Sequence, residues 1–256
     1  MSSFKGKIVF VTGASSGIGR SCARVFAREG ASILIAARRA DRIKDLAKSL
    51  TAEYGVPAHS FALDVRNQAE VKKAVDGLPD SWKAIDVLVN NAGLSRGLDK
   101  FQDGLISDWD EMIDTNVKGL AYVSRAVLPG MVARGRGHVV NVGSIAGHEI
   151  YPGGNMYCAS KFAVMALTRG LRLDLNGTNV RVSTVDPGMV ETEFSEVRFH
   201  GDEERAKKVY QGFTPLTPDD VAEAVLFCAS RPPHVNISEV IIMPTDQAST
   251  TLVHRK

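Results

Sequence analysis

Short apolar runs rich in β-branched residues recur along the chain, and stretches with helical spacing separate them. Lys7–Thr12, Ser32–Ala37, Ala58–Leu63, Ile85–Val89, His138–Val142, Val180–Val185 and Ile237–Met243 read as strands. Between them, Ile18, Cys22, Val25 and Phe26 share one helical face. Trp109, Met112, Ile113, Asn116 and Leu120 recur at helical spacing in a stretch from about Asp108 to Ala133. Further helices are expected from Asn155 to about Asn176 and over Val221–Ser230. Strands that are apolar almost throughout are buried on both faces, and strand–helix alternation makes successive strands parallel. The pattern predicts an α/β fold, a doubly wound parallel sheet of about seven strands with helices on both faces. The 256 residues suffice for one such domain over 1–256, with a lid at about 189–215 and a tail at about 244–256.

In such sheets ligands bind at the carboxyl ends of the strands, so the residues that follow each apolar run carry the chemistry. After the first run comes Gly13-Ala14-Ser15-Ser16-Gly17-Ile18-Gly19 and then a helix. A strand, a glycine-rich turn and a helix start form a Rossmann-type cradle for a dinucleotide pyrophosphate. Gly13 allows the tight turn, Gly17 admits the phosphates and Gly19 lets helix and strand pack closely. The second run ends in Arg38-Arg39. An acidic residue there would accept the ribose hydroxyls of NAD. Two arginines with no carboxylate beside them offer a charged fork to the 2′-phosphate of NADP, with Ser15 as a further donor. The bland alternative is a surface helix that simply begins at these arginines. The remaining strand ends deliver Asp64-Val65, Asn91-Ala92-Gly93, Ser144 and Pro187-Gly188, with Val190 and Thr192 just beyond. All are expected along the same crevice.

Tyr157 and Lys161 stand four apart, hence on one helix face, and Ser144 and Asn116 lie upstream. A phenol with pKa near ~10 exchanges protons poorly at neutral pH. An ammonium a few Å away is expected to lower that value, and Ser144 would hold the substrate oxygen that Tyr157 protonates or deprotonates.

Composition narrows the picture. A net charge of +2 with interleaved basic and acidic residues gives no nucleic-acid footprint. No apolar run reaches the ~18–20 residues of a membrane span. Met1-Ser2-Ser3-Phe4-Lys5-Gly6 runs straight into the first strand without a signal-peptide pattern. The three cysteines, Cys22, Cys158 and Cys228, form no disulfide framework, which fits a reducing, cytoplasmic setting. Cys158, beside the tyrosine, is read as a small buried filler rather than a reactive thiol. The histidines show no metal-ligand spacing, so no metal is expected.

Taken together, Thr12-Gly13-x3-Gly17-x-Gly19, Asn91-Ala92-Gly93, Asn116, Ser144, Tyr157-x3-Lys161 and Pro187-Gly188 resemble the short-chain dehydrogenase/reductase family over essentially the whole chain. The resemblance implies an NADP(H)-dependent oxidoreductase in which Ser144 orients the substrate oxygen and Tyr157 is the acid/base. It implies further that Lys161 binds the nicotinamide ribose and lowers the tyrosine pKa, and that Asn116 holds a water in a proton relay. Val190-Glu191-Thr192-Glu193-Phe194-Ser195-Glu196-Val197-Arg198-Phe199 and Met243-Pro244-Thr245-Asp246-Gln247-Ala248 are similar to the NADP-dependent 3-hydroxy acid dehydrogenases. That similarity implies small 3-hydroxy acids or the corresponding aldehydes as substrates, and a homotetramer. A carboxylate near the reacting hydroxyl must be neutralised. Arg198 is the first candidate and Arg96 the second, the alternative for Arg198 being a salt bridge to Glu203 or Glu204. A reductase of the same family acting on a ketone, a sugar or a 3-oxoacyl thioester, and an NADP sensor without activity, remain as rival readings.

Overall fold

The computed structural model describes residues 4–256; Met1, Ser2 and Ser3, read above as lacking leader character, lie outside the described residues. Seven strands form one sheet: β1 (Ile8–Thr12), β2 (Ser32–Ala37), β3 (Ala58–Ala62), β4 (Ile85–Asn90), β5 (Gly137–Val142), β6 (Val180–Pro187) and β7 (Glu239–Ile242). Their order is β3-β2-β1-β4-β5-β6-β7 and every pairing is parallel. The chain works outward from β1 to β3, then returns to β4 on the other side. The order therefore reverses between β1 and β4, where an open parallel sheet leaves a crevice.

Alternate side chains of each strand feed opposite faces. Val9, Val11, Ile33, Ile35, Val87 and Val89 join Cys22 and Phe26 of α1 (Gly17–Arg28) and Val221 and Val225 of α9 (Pro218–Ala229) in one core. Ile8, Phe10, Leu34 and Leu88 join Val123, Val127 and Met131 of α5 (Leu120–Ala133) in the other. Phe10 and Phe26 are fully buried, and each such side chain contributes roughly 1.5–3 kcal/mol of transfer free energy. Burial on both faces explains why the strands read as unbroken apolar runs. Cys22 and Cys158 are buried too, and burial pushes both thiols up, Cys22 to about 12.

The remaining helices are α2 (Ala40–Tyr54), α3 (Gln68–Asp76), α4 (Ile106–Ile113), α6 (Asn155–Asp174), α7 (Phe194–Arg198) and α8 (Glu203–Lys208). The helix expected over Asp108–Ala133 is interrupted. Asp114–Gly119 form a wider π turn between α4 and α5. Asn116 sits inside that turn and is tied sideways to the main chain of Leu94, which anchors the helix there. Residues 189–215, expected as a lid, carry α7 and α8 and lie between β6 and α9. The tail folds back onto them: Arg255 donates to the Val209 carbonyl at 3.0 Å and Lys256 N–H to Gly212 at 2.7 Å. Gln247 accepts from Met189 N–H at 2.8 Å, at the root of the segment.

Candidate active site

A cavity of about 340 Å³ opens at the carboxyl ends of the strands beside the β1/β4 reversal. Its floor is backbone. Gly13 has φ 67°, a left-handed conformation that favours glycine, and a methyl group there would come within 2.8 Å of Ala92 Cα. At Gly19, behind the cavity wall, a methyl group would collide with the Asn91 amide, whose Nδ2 donates to the Thr12 and Gly13 carbonyls. The turn after β1 and the turn after β4 are thus locked together. Thr12 Oγ1 adds to this by accepting from the N–H groups of Asn91 and Ala92 at 3.1 Å each.

At the start of α1, Ser16 precedes the first turn without capping it; its hydroxyl accepts from Arg39 at 2.7 Å instead. Ser16 therefore leaves the first N–H groups of the helix uncapped, and they carry the positive end of the helix dipole. Ser15, Ser16, Gly17 and Ile18 line the cavity here. A pyrophosphate fits such a cradle, and the residues present suit a dinucleotide.

Arg38 and Arg39 line the same end of the cavity and are followed at once by α2, so beginning a surface helix does not take them away from the cavity. The expectation that no carboxylate stands beside them needs correction. Arg39 donates to Ser15 and to Ser16, and also to Glu193 at 2.7 Å; Arg42 reaches the other oxygen of Glu193 at 2.6 Å. Arg38 lies 3.5 Å from Glu111, which is shared with Arg66 and Arg96. Both carboxylates arrive from far along the chain, so local sequence around Arg38 gives no sign of them. Asp64 lines the cavity beside Val65, and its hydrogen bonds from Arg66 hold it below the ordinary carboxylate range.

At the other end Ser144, Tyr157 and Lys161 converge, all buried and all lining the cavity. Ser144 follows β5 by two residues and accepts from Ala146 N–H at 3.1 Å, which fixes its hydroxyl. Tyr157 and Lys161 share one face of α6, and the lysine Nζ donates to the Val142 carbonyl at 3.1 Å. Burial pushes Tyr157 upward; the Arg198 guanidinium and the Ser144 hydroxyl oppose that push. The sequence pointed instead to a phenol lowered by Lys161. Lys161 Nζ stands 5.8 Å from the ring centroid, and the ammonium is itself lowered to about 8 by burial, with the charge of Asp186 opposing. In the free protein both partners are thus drawn toward their neutral forms.

Asn116 does not line the cavity. Its side chain accepts from Leu94 N–H and donates to the Leu94 carbonyl, both at 2.8 Å, and donates to Ser160 at 3.0 Å. These bonds tie the π turn to the Gly93–Leu94 loop and to α6, one residue from Lys161. Asn91, Ala92 and Gly93 line the cavity, as do Pro187, Gly188, Val190 and Thr192. Thr192 sits against Gly17, where an added methyl group would lie 3.2 Å from its Cγ2.

The two candidate arginines separate clearly. Arg96 pairs with Glu111 at 2.8 Å and donates to the Val197 carbonyl. Arg198 makes neither expected salt bridge. It donates to Ser95 at 3.1 Å and to Tyr151 at 3.4 Å, and its guanidinium lies 5.4 Å from the Tyr157 ring centroid and 5.0 Å from that of Phe194. Sequence spacing also gave no hint that His148, Asp186 and Glu239 meet. His148 Nε2 is hydrogen-bonded to Asp186 of β6 at 2.9 Å, and its Nδ1 lies 3.7 Å from Glu239 of β7, within ion-pair but not hydrogen-bond reach.

Among the described residues no helix is long and apolar enough to cross a membrane. A solved structure described as the closed form of serine dehydrogenase complexed with NADP+ superposes with a TM-score of 0.91 at 46% identity, covering 97% of this chain and 100% of that one. The NADP-dependent 3-hydroxy acid dehydrogenase of Salmonella typhi is 49% identical over 250 residues, 97% of this chain and 99% of the relative. Sulfoacetaldehyde reductase 2 of Chromohalobacter salexigens is 46% identical over 242 residues, 94% and 95% of the two chains. The sequence pattern of the family described as short chain dehydrogenase matches residues 7–203. The chain is an oxidoreductase and belongs to the short-chain dehydrogenase family.

Proposed function

We propose that the protein is an NADP-dependent oxidoreductase of small 3-hydroxy acids such as serine, allo-threonine, 3-hydroxyisobutyrate or 3-hydroxypropionate. The observation that carries this reading is the Arg198 guanidinium, 5.4 Å from the ring centroid of Tyr157. A fixed cation so close to a proton-exchanging phenol suits a substrate whose anionic group lies a carbon or two from the reacting oxygen. The substrates named for the relatives, a 3-hydroxy acid, serine and sulfoacetaldehyde, share that chemistry. The glycine turn and Ser15 would hold the dinucleotide, with Arg38 and Arg39 toward the 2′-phosphate.

NADP(H), when bound, supplies or accepts the hydride. Tyr157 Oη takes the proton of the 3-hydroxyl in oxidation and returns it in reduction, while Ser144 donates to the substrate oxygen. Arg198 holds the carboxylate, and its charge together with the Ser144 hydroxyl favours the phenolate. Lys161 adds positive charge on the same helix face. Asn116 positions Lys161 through Ser160 rather than holding a water with its side chain. Residues 189–215 act as a lid, with Arg198 delivered by α7. Exposed Phe162 and Leu173 on α6 and Ile241 on β7 are the surfaces we assign to homotetramer contacts, which sedimentation would check.

A kcat/KM panel tests the substrate reading. It sets 3-hydroxy acids against their uncharged alcohol analogues, a bulky ketone and a 3-oxoacyl thioester, each with NADP(H) and NAD(H). A clear preference for the acids with the phosphorylated cofactor is expected. Equal use of charged and uncharged substrates would defeat the proposal.

A further inference from the structure

Glu193 has no part in the roles assigned above, yet it occupies the place where cofactor charge would be read. Its two carboxylate oxygens lie 2.7 Å from Arg39 and 2.6 Å from Arg42. The same Arg39 guanidinium donates its remaining groups to Ser15 and Ser16, at 2.7–3.0 Å. A carboxylate that bridges two guanidinium groups, one oxygen to each, has the charge sign and the acceptor pattern of a phosphate shared between two arginines. Glu193 also immediately precedes α7, follows Thr192, and lines the cavity itself. Moving this carboxylate moves the root of the 189–215 segment.

We infer that Glu193 is a cofactor-selecting latch, an internal stand-in for the 2′-phosphate that pins the 189–215 segment to Arg39 and Arg42 until a phosphorylated nucleotide displaces it. The inference rests on the NADP reading above. A 2′-phosphate approaching Arg39 meets the carboxylate as a like charge, so the two compete for one guanidinium. A nucleotide with a free 2′-hydroxyl carries no charge able to take the arginines and leaves the latch closed. Discrimination then has two parts: attraction by the arginines and release of the segment. Arg39 and Glu193 are each about 40% exposed, with side-chain values of 42% and 38%, so their pairing is weak enough to be exchanged.

The test uses two probes without a nicotinamide, so that no turnover is involved. Affinities of the whole protein for 2′,5′-ADP and 5′-AMP are measured by calorimetry for the wild type and for Glu193→Gln, which keeps the side chain's size. We expect Glu193→Gln to bind 2′,5′-ADP about 3- to 10-fold more tightly and 5′-AMP within about twofold of wild type. We also expect proteolytic cleavage within residues 189–215 to speed up on adding 2′,5′-ADP to the wild type, and to be fast in the free variant. Weaker binding of 2′,5′-ADP by Glu193→Gln, or an equal change for both probes, would overturn the latch and make Glu193 a supporting partner of Arg39. Equal affinity of the wild type for both probes would overturn the NADP reading and the latch with it. A wild-type preference for 2′,5′-ADP that the variant leaves unchanged would overturn the latch alone.

Discussion

The two ends of the cavity hold similar charges in opposite settings. At the arginine end, Arg38, Arg39 and Arg42 have side chains 52%, 42% and 52% exposed; Arg39 and Arg42 pair with Glu193, itself 38% exposed, while Arg38 faces the more sheltered Glu111. At the chemical end, Tyr157, Lys161 and Asp186 are all below 9% exposed. Water screens the first set, and exposed pairs contribute roughly 0.2–1 kcal/mol each. Burial dominates the second: Tyr157 and Asp186 are pushed up and Lys161 is pushed down to about 8. One end therefore reads charge weakly and adjustably, and the other shifts proton affinities strongly and permanently. The same kind of substitution should have very different effects at the two ends.

The sharpest version of that contrast is Tyr157→Phe. Removing a positioned acid/base costs roughly 10²–10⁴-fold in rate, while the binding of NADPH, distributed over the distant nucleotide end, should change less than about threefold. Stopped-flow turnover and fluorescence titration read the two quantities separately. A variant with near-normal kcat would remove Tyr157 from the chemistry.

Lys161 sharpens it through pH. The ammonium loses its proton at about 8 in the folded chain, against 10.5 for an ordinary lysine. Below pH 8 both folded and unfolded chains hold the proton, and the full cost of burying the charge is present. Between 8 and 10.5 the unfolded chain binds more protons, so the unfolding free energy rises with pH. The rise from this group amounts to roughly 3 kcal/mol. Urea melts of the free protein over that window should show it, and Lys161→Met should flatten it. Identical slopes for wild type and variant would show that burial does not control this lysine.

The difference between the ends also governs how much could be read from the sequence. Elements with strong local signals were legible: the Gly13–Gly19 turn, the strands and the Tyr157–Lys161 face follow from spacing alone. Short α7 and α8 left no periodicity long enough to see, and the π turn at Asn116 arises from a side-chain bond to Leu94, across 22 positions. Glu111 reaches Arg38 across 73 positions and Glu193 reaches Arg39 across 154, so neither carboxylate could be found locally. The direction of the Tyr157 shift was likewise hidden, because it depends on burial and on Arg198 rather than on the neighbouring lysine.

Arg198 is the intermediate case, partly buried and joined to Ser95 and Tyr151. A charge-assisted hydrogen bond contributes roughly 1.5–3 kcal/mol. Arg198→Ala should then raise KM for serine about 10- to 100-fold and for an uncharged alcohol no more than about threefold. Equal increases for both would reassign Arg198 to packing against Tyr157 and Phe194.

The smallest effect belongs to Arg38, which is 52% exposed and only 3.5 Å from its nearest carboxylate, Glu111. Arg38→Ala should weaken NADPH binding by about 2- to 5-fold, the range of a screened surface pair, with Arg39 still in place. Because Arg38 acts through water, the loss should shrink further between ~0.1 M and ~1 M salt, as the screening length falls from ~10 Å to ~3 Å. The Tyr157→Phe defect, set at a buried side chain, should not respond to salt. An Arg38→Ala loss well above tenfold that persists at high salt would place this guanidinium in a sheltered site once the nucleotide is bound. The nucleotide end would then resemble the chemical end, and the contrast between them would apply only to the free protein.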